Sequence, residues 1–203
     1  FKPILRFLRA DRPRLLIADE VGVGKTIEAG LILREMQSRQ RVDHVLILCP
    51  KPLVTKWRAE MRRFDEDFRI ISSENLAYCI READLNGLWP EEYAKAIIPI
   101  ELFRIEKYLH GSAKYSSQLG LLDLDLPHIF DLVIVDEAHN NSFRKIFHYF
   151  NDVNILGVTA TPLSSNKKLP LYQTYNELIV GESISNLIEQ GYLCEGVTYS
   201  YDV

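Results

Sequence analysis

The fold is decided by the stretch Leu15-Leu16-Ile17-Ala18-Asp19-Glu20-Val21-Gly22-Val23-Gly24-Lys25-Thr26. Its first four residues are all apolar and predict a strand that is buried on both faces. From Thr26 to Ser38 the apolar residues lie nearly all round a helical pattern, which predicts a largely buried helix. A glycine-rich turn between a buried strand and a helix is the context in which such a turn holds phosphate groups.

The turn contains each kind of group that phosphate binding needs. Glycines let the backbone of Val21-Gly22-Val23-Gly24 approach phosphate oxygens, and the start of the helix adds a partial positive charge. Lys25 can reach the β and γ phosphates of a nucleotide, and the hydroxyl of Thr26 can ligate Mg²⁺. The usual pattern has glycine where this chain has Asp19, five residues before Gly24. A glycine turn that binds no ligand is the structural alternative.

Two carboxylates follow a second apolar run, because Asp136 and Glu137 come directly after Leu132 to Val135. At the carboxyl end of a strand in an open α/β sheet, side chains project into the crevice where ligands bind. We expect Asp136 to hold Mg²⁺ through water and Glu137 to polarise an attacking water molecule. An isolated Asp-Glu pair is usually a solvated strand end, so the combination with the glycine-rich turn is what favours a site.

Other apolar runs alternate with helical patterns along the chain. Further strands are predicted at Val45 to Cys49, Ala96 to Ile98 and Ile155 to Val158. Further helices are predicted at residues 53–64, 102–109 and 171–190. Because parallel neighbours need a crossover connection, this alternation predicts an α/β three-layer sandwich with a mostly parallel central sheet.

Length and charge limit the classes of protein to which the chain can belong. Its 203 residues predict one domain over residues 1–203. The formal net charge of −4 excludes a global positive field, so any contact with nucleic acid must be a local patch. Three cysteines are too few for a disulfide framework, and no apolar stretch approaches the length of a membrane span. We therefore expect a cytoplasmic protein with no membrane partner.

Two more segments point to a family. Leu46 to Leu53, followed by Trp57 and Glu60, resembles motif Ia of superfamily 2 helicases, and Thr159-Ala160-Thr161-Pro162 resembles motif III. Over about residues 4–193 the chain resembles the first motor domain of the DEAH-type helicases and translocases, a RecA-like P-loop NTPase domain. Asp19 to Gly22 is most similar to the Swi/Snf-like and RNA-polymerase-recycling branches. Ile188 to Leu193 resembles helicases related to restriction-enzyme translocases.

The resemblance implies an ATP hydrolase that uses Mg²⁺ and moves along DNA or RNA. It implies that His139 links the nucleotide site to motif III, and that the hydroxyls of Thr159 and Thr161 change partners between nucleotide states. Lys51 and Thr55 would contact the phosphate backbone through the Lys51 side chain, the Thr55 hydroxyl and backbone N–H groups. The alternatives are an exposed helix start for His139 and a plain strand-end turn for the two threonines.

A second RecA-like motor domain is expected outside this chain, and residues 1–203 alone are expected to be nearly inactive. Three other hypotheses stay open. A Swi/Snf-like remodelling ATPase would move along duplex without unwinding it. A nucleotide-dependent nucleic-acid-binding protein would have only vestigial hydrolysis. A small-molecule P-loop kinase would need a substrate lid and has no use for Thr159-Ala160-Thr161.

Overall fold

The structure is a computed structural model that describes residues 2–10, 13–19, 24–111, 119–124, 129–138, 147, 150, 153–161, 171–181 and 184–191. The strands in this part of the chain are β1 (Arg14–Ala18), β2 (Val45–Cys49), β3 (Arg69–Ile70), β4 (Lys95–Pro99), β5 (Leu132–Asp136), β6 (Asn154–Thr159) and β7 (Glu177–Val180). They form one sheet in the order β3-β4-β2-β5-β6-β1-β7, and every neighbouring pair is parallel. The mostly parallel sheet expected from the sequence is therefore confirmed.

The helices cover both faces of this sheet. They are α1 (Lys2–Arg9), α2 (Lys25–Arg39), α3 (Val54–Arg62), α4 (Ser73–Asn86), α5 (Glu106–Leu109) and α6 (Ile184–Glu189). Short 3₁₀ helices span Lys51–Leu53, Glu91–Tyr93, Ile100–Arg104, Leu121–Asp123 and Leu171–Gln173. None of the helices in the described ranges is long and apolar enough to cross a membrane.

Strand alternation divides the apolar core into two layers. On β2, Val45, Ile47 and Cys49 pack on the face that α1, α2 and α3 cover, whereas Leu46 and Leu48 pack on the other face, against α4 and α5. All five of these side chains are fully buried, as expected for a parallel strand with helices on both sides. The molecule is thus a three-layer α/β sandwich, and the fold class predicted from the sequence is confirmed.

Three expectations about the elements were wrong. Helix α2 is not buried all round, since Ile27 and Leu31 are 42% and 39% exposed. The single helix expected over residues 102–109 is broken at Ile105, whose backbone is extended between the 3₁₀ helix and α5. The region 171–190, expected to be helical, is helical at Leu171–Gln173 and in α6, but between them it contains β7, which forms an edge of the sheet and pairs with β1.

Candidate active site

The carboxyl ends of three strands meet at one edge of the sheet. Since all strands run in the same direction, β1, β5 and β6 end on the same side, and β6 lies between the other two. The register places Asp136 beside Val158, which in turn pairs with Ile17. A cavity of about 360 Å³ opens at this edge, and the residues that line it include Gly24, Lys25, Thr26, Asp136, Glu137 and Ala160. The glycine-rich turn and the acidic pair therefore face the same cavity.

The described end of the glycine-rich turn is shaped by Gly24. Its φ of 103° lies in the left-handed region that favours glycine. Its carbonyl accepts the first hydrogen bonds of α2, from the N–H groups of Ile27 (2.8 Å) and Glu28 (3.0 Å). Helix α2 therefore directs the positive end of its dipole at the cavity. Val21, Gly22 and Val23, the other predicted phosphate-binding residues, lie outside the described residues.

Lys25 and Thr26 form the first turn of α2 and line the cavity, as expected for a phosphate-binding lysine and a metal-binding hydroxyl. The ammonium group of Lys25 donates to the backbone carbonyl of Asp19 at 2.8 Å. This hydrogen bond ties the start of α2 to the residue that follows β1. The position of Lys25 is thus set from both sides of the glycine-rich turn.

Asp136 is held by a protein donor at each of its carboxylate oxygens. The indole Nε1–H of Trp57 donates to Oδ2 at 2.7 Å, and the backbone N–H of Glu137 donates to Oδ1 at 2.9 Å. Glu137 has a φ of 54°, a left-handed conformation that is uncommon for a non-glycine residue and that often occurs at functional sites. The next N–H, that of Ala138, bonds to the carbonyl of Val158 at 3.1 Å and ties the turn to β6.

A pair of carboxyl groups lies behind the phosphate turn. Asp19 is buried, and Glu28, in the first turn of α2, hydrogen-bonds to it. Burial, followed by the charge of Asp19, raises the pKa of Glu28 from its ordinary 4.5 to about 7, although Lys25 acts in the opposite direction. Oδ1 of Asp19 and Oε2 of Glu28 receive no hydrogen bond from the described part of the chain. Glu28 therefore keeps its proton up to about neutral pH.

The motif III residues follow β6 and form a local turn. The N–H of Thr161 donates to Oγ1 of Thr159 at 3.1 Å, and Oγ1 of Thr159 lies 3.2 Å from the carbonyl of Thr161, to which it can donate. Thr159 is fully buried, whereas the intervening Ala160 lines the cavity. The two hydroxyl-bearing residues thus adjoin the candidate nucleotide site. His139, which was expected to link this turn to the acidic pair, lies outside the described residues.

Lys51 and Thr55 lie in the segment after β2, and both side chains are exposed. They do not line the cavity. One expected contact is not available, because the backbone N–H of Lys51 donates to the carboxylate of Glu101 at 3.1 Å. Any phosphate contact from Lys51 would therefore come from its ammonium group and not from its amide.

The sequence analysis missed one wall of the cavity, which α3 and its C-cap residue contribute. Lys56, Trp57, Glu60 and Arg63 line the cavity, and Arg63 forms a salt bridge with Glu60 at 3.0 Å. Arg62, by contrast, does not line the cavity and pairs with Asp67 at 3.3 Å, as a residue of a solvated face would. The spacing i, i+4, i+7 of Lys56, Glu60 and Arg63 places them on one side of a helix, and this was the signal that could have identified them.

The donor set fits a nucleotide bound with magnesium. Magnesium is usually held by one or two carboxylates together with substrate phosphates. Among the described residues no group of three or more His, Cys, Asp and Glu side chains could hold a metal ion. Thr26 and Asp136 offer two oxygen ligands that line one cavity, and α2 and Lys25 supply positive charge for phosphates. The site thus suits a metal ion that binds as part of a phosphate complex.

Comparison with known proteins agrees with this fold. Residues 1–164 match the family described as "Type III restriction enzyme, res subunit". The Hef helicase domain of Pyrococcus furiosus matches with a TM-score of 0.64 at 18% identity, over 98% of this chain and 41% of that one. The UvsW helicase of bacteriophage T4 matches with a TM-score of 0.56 at 12% identity, over 89% of this chain and 58% of that one.

A third structure is the SWI2/SNF2 ATPase core of Sulfolobus solfataricus, which was solved in complex with dsDNA. It matches with a TM-score of 0.50 at 17% identity, over 79% of this chain and 30% of that one. This chain therefore spans less than two thirds of each of the three structures. At these identities the likeness shows a shared RecA-like fold.

Proposed function

The chain belongs to the family of type III restriction enzyme res subunits, and from this premise we propose that it is the ATP-binding motor domain of a DNA helicase or translocase. Membership of this family supports the general part of the assignment, which is a nucleic-acid-dependent motor. The more specific assignment rests on one observation, which is that Lys25 and Thr26 line the same cavity as Asp136 and Glu137. ATP and Mg²⁺ are the ligands that this combination fits best.

In the proposed reaction, each residue of the cavity acts on one part of the triphosphate. The first N–H groups of α2 and the ammonium group of Lys25 hold the β and γ phosphates. The carboxylate of Glu137 orients a water molecule for in-line attack on the γ phosphorus and accepts its proton. The new P–O bond forms as the bond to the β–γ bridging oxygen breaks, which gives ADP and phosphate. Mg²⁺, held by Thr26 and Asp136, neutralises phosphate charge when it is bound.

We further propose that residues 1–203 act together with a second RecA-like domain. In related phosphoryl-transfer enzymes an arginine supplied from outside the phosphate site is worth about 10³ to 10⁵ in rate. Residues 1–203 alone would bind nucleotide weakly and hydrolyse it very slowly. Assays of hydrolysis therefore need the full-length protein with both motor domains and with nucleic acid present.

The decisive test is the substitution Glu137→Gln in the full-length protein. It keeps the shape of the side chain but removes the group that accepts the proton, so we expect ATP hydrolysis to fall by about 10² to 10⁴-fold while ATP binding persists. The matched control is Glu91→Gln, at the opposite edge of the sheet before β4, which should leave the rate unchanged. Lys25→Ala should instead weaken ATP binding itself.

A Glu137→Gln protein with the wild-type hydrolysis rate would contradict the proposed catalytic role of Glu137 and favour a nucleotide-dependent binding protein.

Unwinding and translocation need separate assays. Displacement of a strand from a partial duplex requires a helicase, whereas displacement of a third strand from a triplex requires only movement along duplex. Triplex displacement without strand displacement would assign the protein to the remodelling type.

A further inference from the structure

The chain has two tryptophans, and they use their indole N–H groups in different ways. Trp89 donates to the backbone carbonyl of Tyr93 at 3.0 Å, a bond between two neutral groups within one segment. Trp57 donates to the carboxylate of Asp136 at 2.7 Å, from α3 to the end of β5. A buried indole needs an acceptor, and a neutral carbonyl such as that of Tyr93 is sufficient. The need for an acceptor therefore does not explain why the acceptor of Trp57 is a carboxylate at the candidate site.

The environment of the Trp57–Asp136 bond makes it strong and directional. Trp57 and Asp136 are 2% and 8% exposed, so little water competes with the bond. A hydrogen bond to a charged acceptor is roughly twice as strong as a neutral one. With Glu137 N–H on the other oxygen, both ends of the carboxylate are fixed. The lone pairs that remain on Oδ1 and Oδ2 are the ones available to a metal ion or to its bound water.

Helix α3 gives the bond a second property. Thr55 is exposed and Trp57 is buried, and two residues correspond to about 200° around a helix. The face proposed to meet nucleic acid and the face that holds Asp136 are thus opposite sides of one short rigid helix. A displacement of α3 by a ligand on its outer face would move the indole N–H away from Asp136.

We propose that Trp57 is a positioning residue for the magnesium ligand Asp136, and that it links α3 to the metal site. This inference rests on the proposed function, since it requires that the cavity binds nucleotide with Mg²⁺. Groups that hydrogen-bond to a metal ligand fix its orientation, and their removal typically costs 10- to 100-fold in metal affinity or activity. Trp57 would act through Asp136 and would not itself touch the nucleotide phosphates.

The test compares Trp57→Phe with Trp89→Phe in the full-length protein. Each substitution removes one buried indole N–H bond and keeps an aromatic ring, and Trp57→Phe should lose more thermal stability than Trp89→Phe because the acceptor of Trp57 is charged. Calorimetric titration with a non-hydrolysable ATP analogue at a series of Mg²⁺ concentrations gives the concentration needed for half-maximal binding. We expect about a 10- to 100-fold increase for Trp57→Phe and no change for Trp89→Phe. Binding of the analogue in EDTA should be the same in both variants.

An equal Mg²⁺ requirement in the two variants would overturn the inference while the proposed function stands. Failure of the wild-type protein to bind the analogue with Mg²⁺ would overturn the proposed function, and the inference with it.

If Trp57→Phe does not fold, the inference is tested by NMR spectroscopy of the wild-type protein labelled with ¹⁵N-tryptophan. The indole signal of Trp57, assigned by triple-resonance spectroscopy, should shift when Mg²⁺ is added to the protein with ADP, and that of Trp89, identified by its loss in Trp89→Phe, should not. A Trp57 signal that does not move contradicts the proposal.

Discussion

At the scale of single residues, Asp19 occupies the position where phosphate turns usually have glycine. Gly181 leaves space for the Asp19 side chain, because a Cβ atom on Gly181 would overlap Oδ1 of Asp19. The carboxylate therefore packs against the backbone that follows β7, next to Glu28 in the first turn of α2. The negative charge behind the phosphate turn is kept low because Glu28 holds its proton up to a pKa of about 7.

The substitution Glu28→Gln should stabilise the nucleotide-free protein at high pH. The pKa of Glu28 is raised in the folded state, so the unfolded protein loses this proton first and stability falls as pH rises from about 4.5 to about 7. Glutamine cannot ionise, and its advantage should reach about 1 kcal/mol at pH 8, since partial exposure screens the repulsion. At pH 4 the advantage should vanish. Urea unfolding of both proteins at pH 4, 6 and 8 measures this difference.

The control is Glu35→Gln on the same helix. Glu35 is partly exposed and pairs with Arg39 at 2.6 Å, so its loss should cost less than about 1 kcal/mol. That cost should not diminish between pH 6 and pH 8. A Glu28→Gln protein whose stability relative to wild type is the same at every pH would show that the pKa of Glu28 is not raised in the folded state.

At the scale of elements, the cavity depends on how closely α2 and α3 approach each other. Gly30 of α2 faces Phe64, which follows α3, and a Cβ atom on Gly30 would overlap the aromatic ring. Glycine in a helix costs about 1 kcal/mol relative to alanine, so packing and not helix propensity explains its presence. The short distance between the two helices brings Lys56 and Glu60 to the cavity that Thr26 also lines.

Gly30→Ala should destabilise the protein even though it raises helix propensity. Overpacking of a core typically costs 1–3 kcal/mol, which exceeds the gain in propensity. The free energy of unfolding should therefore fall by about 1 kcal/mol or more, and nucleotide affinity should fall as α3 moves away. Ser38→Ala, at an exposed site of α2, should change stability by less than about 0.5 kcal/mol. A stabilised Gly30→Ala protein would contradict the packing argument.

The elements that could be predicted from the sequence are those whose signal is local. Five strands, β1, β2, β4, β5 and β6, appear as short runs of apolar residues, and the glycine turn and the acidic pair mark the ends of β1 and β5. The edge strand β7 was not predicted, because buried and exposed positions alternate along it. Leu178 and Val180 are exposed, so the strand lacks the continuous apolar pattern of a buried strand. The role of Trp57 could not be predicted either, because its contact with Asp136 joins two segments that only tertiary packing brings together.

At the scale of the whole molecule, the formal net charge of −4 means that nucleic acid must be held by a few well-placed groups. Lys51 and Thr55 lie at the carboxyl end of β2, on the same edge of the sheet as the cavity. A bound strand would therefore pass close to the proposed ATP site without entering it. This arrangement places the two proposed ligands on one side of the protein.

Replacement of Lys51 by alanine should weaken DNA binding by the full-length protein in a salt-dependent way. Removal of one phosphate contact should reduce the slope of log K against log salt concentration by about 1 and affect all sequences alike. The matched control is Arg41→Ala, which removes an exposed charge before β2, at the opposite edge of the sheet. Fluorescence anisotropy with labelled duplex at several salt concentrations gives both slopes. Equal slopes in the two variants would exclude Lys51 as a phosphate contact.

The place of β6 between β1 and β5 has a consequence for what the site can recognise. Neighbouring strands are held about 4.8 Å apart by their hydrogen bonds, so the strand that precedes Lys25 and the strand that ends at Asp136 are separated by roughly 10 Å. A ligand must span that fixed width to engage both. The backbone of the sheet thus fixes the gap that the side chains of Lys25 and Asp136 have to bridge together with a bound ligand.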